Sequence, residues 1–309
     1  MKSVVLTDEF TQEEYLGDIK TNKYYPNFKQ SSVILLSAMG ASFLQGKIFK
    51  AVMEQPNIKD LFTITTVNTL LIFLVVYMWV KPKTKLKISK FYSTEKFTFA
   101  FIFPLVSVMI GVMMLNFVLN SFLQGDNNDI YSKFMHYIAK DKAYLTLFII
   151  PIAVLAPITE EFIFRGYILR GLSSHHSPLK AIFLSSLLFS LFHLNLKQIP
   201  NAFILGIIFS VIMIHTRNIL YPILYHGINN FMVVLVLFKV NPDSLTTNKT
   251  YSYSLSLLSI VALLGILFIY IGLKSVIRVT AGESRSIIPS KRVYKKYLVY
   301  LKDEDEKDL

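Results

Sequence analysis

Three ionisable side chains interrupt one apolar run: Glu160, Glu161 and Arg165, within Thr159-Glu160-Glu161-Phe162-Ile163-Phe164-Arg165-Gly166-Tyr167-Ile168. Between Ala143 and Pro157 only Thr146 is clearly polar. An Asp, Lys or Arg at mid-membrane costs roughly 2.5 to 3.5 kcal/mol on insertion scales, so such groups need compensation or a function. His193, and then His226, Asn229 and Asn230, stand in equally apolar stretches further along. Glu161 and Arg165 are i and i+4, a spacing that lets them pair on one helix face and lowers the cost of burying both. Glu160 is left about 100° round the helix, with no partner along it. A carboxylate in apolar surroundings is suited to take a proton from water and hand it on. Glu160 is therefore the candidate base, His193 the second water-activating group, and Phe189, one turn before His193, a wall of the site. His226 and Asn230 are again i and i+4, and an imidazole N–H beside an amide NH2 can hold the oxyanion of a tetrahedral intermediate.

Each group also has an ordinary reading. A Glu–Arg pair can be packing glue, a single His a satisfied core residue, and His226 with Asn230 interhelical hydrogen bonding. Coincidence favours chemistry, because the unusual residues fall in three apolar spans and none comparable stands in the first three or the last. His136, His175, His176 and His215 lie in loops or at span ends and read as solvent or interface residues.

The elements that must position these groups are membrane helices. Of 309 residues 53% are hydrophobic, with 25 Phe and 17 Tyr, and the mean hydropathy is +0.49, far too apolar for an ordinary soluble domain. The fold class is an all-α polytopic bundle of about eight transmembrane helices: Ser32 to Gly46, Leu61 to Val80, Phe97 to Leu123, Ala143 to Ile168, Leu179 to Leu194, Pro200 to His215, Ile219 to Phe238 and Tyr253 to Ile277. The fifth and sixth are short for a full crossing and polar enough to be buried among other helices. With no cysteine, disulfides, thiolate catalysis and Cys-ligated metal are excluded.

The formal charge of +12 does not point to nucleic acid, since no binding motif for it is present and the cations cluster in loops and the tail. Lys81, Lys83, Lys85, Lys87, Lys90 and Lys96 follow the second span, and Lys274, Arg278, Arg285, Lys291, Arg292, Lys295 and Lys296 follow the last. Both segments should be cytoplasmic, and with them both termini. Gln124 to Lys142 and Lys239 to Ser252 then lie outside. The organisation expected is a polar cytoplasmic segment at 1–30 without a cleaved signal, membrane helices at 31–142, the core carrying the chemistry at 143–238, a loop and last span at 239–277, and a cytoplasmic tail at 278–309. Val293 to Leu309 reads either as a basic-aromatic helix on the inner leaflet or as a solvated tail. Gly206 and Ser210 form a small-residue face that seats either a neighbouring span or a second subunit.

Glu160-Glu161-x-x-x-Arg165, Phe189-x-x-x-His193 and His226-x-x-x-Asn230, in that order, resemble the signature of the CPBP family of intramembrane proteases, which includes the type II CAAX prenyl endopeptidases and bacteriocin self-immunity proteins. Phe203-x-x-Gly206 and Thr216-Arg217-Asn218-Ile219-Leu220-Tyr221-Pro222 resemble the approach to the last motif, with Asn218 standing where a Gly-containing turn is common. The resemblance covers about Leu145 to Val236. It implies an eight-helix bundle and an endopeptidase in which Glu160 and His193 activate water, His226 and Asn230 stabilise the oxyanion, and Glu161 and Arg165 support them. It leaves two mechanisms open, a glutamate type without metal and one in which Glu160, His193 and His226 bind Zn2+ with a water. Expected partners are membrane lipid and a peptide or membrane-protein substrate in the cell membrane. The Lys-, Asn- and Ile-rich composition suggests an AT-rich bacterium and so a substrate that is not farnesylated. The alternatives are a non-proteolytic binding, immunity or scaffold protein using the same cavity and, more distantly, an ion-coupled transporter, for which no inverted halves are visible.

Overall fold

The computed structural model describes residues 25–53, 58–84, 99–123, 130–239, 241, 253–281, 287–290, 293–295 and 297. Among these the chain is all-α, without strands. We number its main helices α1 (Phe28–Met53), α2 (Ile58–Val80), α3 (Ile102–Phe122), α4 (Ile130–Ala139), α5 (Lys142–His175), α6 (Pro178–Phe192), α7 (Ile199–Thr216), α8 (Leu220–Leu237) and α9 (Leu255–Ala281).

Six of them, α2, α3, α5, α7, α8 and α9, are long and apolar enough to cross a membrane, so the chain is a multi-pass membrane protein. The expected first span forms a 26-residue helix, α1, but carries Lys29, Lys47 and Lys50 and falls outside those six. α6 has 15 residues, about 22 Å at 1.5 Å per residue against a hydrocarbon core of about 30 Å. It stops short of a full crossing, and its last turn brings His193 to the site.

α5 holds the centre. Asp141 caps it, accepting from the Ala143 N–H at 2.8 Å. Pro151 and Pro157 cannot donate to an α-ladder, and a π-helical stretch at Ile150–Leu155 takes up the misfit at the first of them. A second π-helical stretch, Phe162–Leu169, begins directly after Glu161. Such stretches inside α-helices are frequent at functional sites, and here they flank Ala156–Glu161. α7 packs on α6 through Gly206, where an added Cβ would meet Ser186 Cα and Cβ at 2.9 Å. The small-residue face therefore seats a neighbouring helix. α3 and α9 cross as closely, since a Cβ at Gly111 would meet the Gly265 carbonyl oxygen at 2.5 Å, and Ser107 Oγ donates to the Phe268 carbonyl at 2.7 Å.

The turns beside the site use left-handed residues, Leu194 at φ 52° after α6 and Arg217 at φ 53° after α7. Asn218, the departure from the expected turn, accepts the Leu220 N–H on its side-chain oxygen at 3.0 Å and so helps start α8.

The C-terminal segment is neither a leaflet helix nor a solvated tail where it is described. Tyr294 and Tyr297 are fully buried, and the Tyr294 hydroxyl donates to the carbonyls of Ser173 at 3.0 Å and His176 at 3.3 Å. His215, expected at solvent or an interface, is buried with its Nε2 3.2 Å from the Ile287 carbonyl. Most of the expected N-terminal polar segment, 1–24, and the end of the tail, 298–309, lie outside the described residues.

Candidate active site

Arg165 and Glu161 are both wholly buried and pair at 2.9 Å through Nη1 and Oε1, as the i,i+4 spacing requires. Arg165 Nη2 also donates to the Gly206 carbonyl of α7 at 3.1 Å. The guanidinium lies over the ring of Phe189, 4.4 Å from its centroid, and 5.3 Å from that of Phe209. Aromatic faces attract a desolvated cation, so charge, hydrogen bonds and π-faces together offset the burial. One side chain thereby ties α5 to α6 and α7.

Glu161 has a second partner that its own helix does not reveal. His226 Nδ1 lies 2.8 Å from the same Oε1. Because an ionised carboxylate only accepts, Nδ1 of this ring carries a proton. Phe209 stacks on the His226 ring at 5.3 Å and 27°, and Phe189 meets it edge-on at 5.8 Å. The imidazole is thus held at Nδ1 and packed against two phenyl rings.

The Nε2 edge of His226 looks toward Glu160, with Nε2 and Oε2 3.9 Å apart. The separation is too long for a hydrogen bond but lets one water touch both atoms. Glu160 Oε2 makes no hydrogen bond to another protein atom. On α6, half-buried His193 donates Nδ1–H to the Phe189 carbonyl at 3.0 Å, which leaves Nε2 as the acceptor. Asn230 donates to the Ile152 carbonyl at 3.0 Å and accepts from Asn229 Nδ2 at 3.2 Å, leaving one amide N–H.

Glu160, Phe189, His193, His226, Asn229 and Asn230 line one cavity of about 470 Å³. Glu161 and Arg165 stand behind it. The remaining polar lining was missed in the sequence: Thr65 and Thr69 of α2, Asn116 and Asn120 of α3, and Lys197, Gln198 and Asn201 around the start of α7. Asn116 and Asn120 repeat the i,i+4 polar spacing inside an apolar span, the signal that could have found them.

Among the described residues no three His, Cys, Asp or Glu side chains are grouped to hold a metal ion.

Residues 142–232 match the family model described as type II CAAX prenyl endopeptidase Rce1-like. A curated relative, the membrane-embedded CAAX protease MroQ of Staphylococcus aureus (strain USA300), is 29% identical over 144 residues, covering 45% of this chain and 57% of that protein. The match thus spans less than two thirds of that relative's length. No solved structure matches. The family match contains every residue of the three spaced motifs, and the resemblance to CPBP intramembrane proteases holds on that stretch.

Proposed function

We propose, from this likeness to CPBP-type intramembrane proteases, that the chain is an endopeptidase hydrolysing a peptide bond of a membrane-associated protein or peptide precursor. The observation that carries the reading is the fixed Nε2 edge of His226 facing an otherwise unbonded Glu160 carboxylate across 3.9 Å.

A water between them gives one proton to Glu160 and directs the other to His193 Nε2. As Glu160 removes the first, the water oxygen bonds to the scissile carbonyl carbon and the carbonyl π-electrons move onto its oxygen. With protons on both nitrogens, His226 donates Nε2–H to that oxyanion, and the second N–H of Asn230 joins it. Collapse of the intermediate breaks the C–N bond while Glu160 returns its proton to the leaving amine. Arg165 and Glu161 act through His226 and touch no reacting atom.

Glu160→Ala should abolish product formation while expression and membrane insertion persist. The N-terminome and secreted peptides of cells carrying wild-type protein and this variant should differ by products found only with wild type. Identical peptide sets would sink the hydrolytic reading and leave a binding role for the same cavity.

A further inference from the structure

The cavity also has a direction. Resting on the proteolytic reading, we infer that it opens on the extracytoplasmic face and takes there an extended peptide segment with uncharged side chains.

The cations set the orientation. Lys81 to Lys96 join α2 to α3, Arg278 stands in the last turn of α9 and Arg285 to Lys296 follow it, so these helix ends are cytoplasmic by the excess of Lys and Arg in inner loops. α2, α3, α6 and α7 contribute from the halves remote from that side, and α8 contributes Asn229, Asn230 and Val233 from its remote half and His226 from its nearer one. Thr65 lies in the first turns of α2 and Asn120 in the last turn of α3. His193 follows the last turn of α6, and Asn201 is in the first turn of α7. Toward the cytoplasm the bundle is shut. Ile168, Leu169 and Leu172 of α5 and Ile212 and Ile214 of α7 are fully buried, and beyond them Tyr294 and Tyr297 close the end of α5. Water and substrate reach Glu160 from the opposite side.

The mouth indicates the chemical class. Asn116, Asn120, Gln198 and Asn201, with the hydroxyls of Thr65 and Thr69, border the cavity. Carboxamides and hydroxyls both donate and accept, which matches the alternating C=O and N–H of an extended backbone. Among the described residues, Lys197 is the one Lys, Arg, Asp or Glu side chain besides Glu160 that lines the space. The surface is built to read peptide backbone, with little to pair a charged side chain.

The native absence of cysteine makes the test direct. Full-length single-cysteine variants Asn120→Cys, Asn201→Cys and Lys180→Cys are treated in intact cells with a membrane-impermeant maleimide. Asn120→Cys and Asn201→Cys should label, and Lys180→Cys, exposed at the cytoplasmic start of α6, only after permeabilisation. Two mouth positions guard against one variant failing to fold. The reverse pattern, or no labelling at either mouth position before or after permeabilisation, overturns the direction. Labelling repeated in the Glu160→Ala background reads access without turnover, so its failure and the failure of hydrolysis are separate results. The products lost in Glu160→Ala should carry cut sites on the extracytoplasmic side flanked by uncharged residues. Cytoplasmic cut sites, or sites flanked by charged residues, overturn the substrate class.

Discussion

Removing a buried guanidinium and its carboxylate from water costs several kcal/mol per ion, recovered only where geometry and further hydrogen bonds are good. Arg165 meets that condition with Glu161, the Gly206 carbonyl and two aromatic faces. Breaking such a pair on one side strands a charge and typically costs about 3 to 5 kcal/mol, whereas replacing both members by neutral groups of similar size is often tolerated. Glu161→Gln alone should therefore lower the melting temperature in detergent sharply, and Glu161→Gln with Arg165→Met should recover much of it. Peptide processing should stay lost in both, because neither restores the carboxylate that accepts His226 Nδ1–H. Recovery of processing along with stability would reduce Glu161 to packing. The pairing of Glu161 with Arg165 was legible at i,i+4, since helix geometry alone dictates it. The bond to His226, 65 residues away, was not, because it depends on how α8 seats against α5, and spacing within one helix carries no information about that.

At the scale of elements, the site exists because α5, α6, α7 and α8 approach closely enough for short side chains to meet. Gly206 sets one of those distances, and its carbonyl also receives Arg165. A methyl group there would press on the Ser186 backbone of α6, which cannot swing aside as a side chain can. Gly206→Ala should cost about 1 to 3 kcal/mol, the usual range for overpacking, and lower processing further than that loss explains, by moving His193 away from Glu160. Ser210→Ala, four residues on along α7, should leave processing intact. Equal processing by Gly206→Ala and wild type, measured per folded molecule, would contradict the tight α6–α7 seat. Helix identity and approximate bounds were legible because hydrophobic runs of this length leave few other structures in a bilayer. The π-helical stretches were not, since the Pro residues of α5 announce a disturbed ladder without saying which irregular hydrogen-bond pattern resolves it. Thr65, Thr69, Asn116 and Asn120 passed unnoticed for a related reason: neutral polar residues are common enough in spans that their role appears only when α2 and α3 are placed against the core.

The whole molecule is closed at one end by segments distant in sequence. Tyr294 and Tyr297 stack 6.2 Å apart, fully buried, and the Tyr294 hydroxyl bonds the carbonyls of Ser173 and His176 near the end of α5. On the same helix end Gly171 backs directly onto the Pro26 backbone with no room for a side chain between them. Charge dominated the sequence pattern of the C-terminal segment, with Lys291, Arg292, Lys295 and Lys296 around the two tyrosines, so the periodicity pointed to a lipid surface or to water. Docking is decided by the complementary surface of α5, which local composition does not describe. Truncating a buried aromatic typically costs about 3 to 5 kcal/mol, so Tyr294→Ala should lower the detergent melting temperature clearly. Tyr294→Phe keeps the ring and loses only the hydroxyl bonds, and should fall between the two, nearer wild type, by about 1 kcal/mol for the lost hydrogen bonding. Because the two tyrosines cap the end of the bundle remote from Glu160, processing per folded molecule should be unchanged in either variant. A melting temperature unaffected by Tyr294→Ala would mean the segment does not dock. Unchanged stability joined to altered processing would instead make the segment a regulator of the site, contrary to the closed cytoplasmic end.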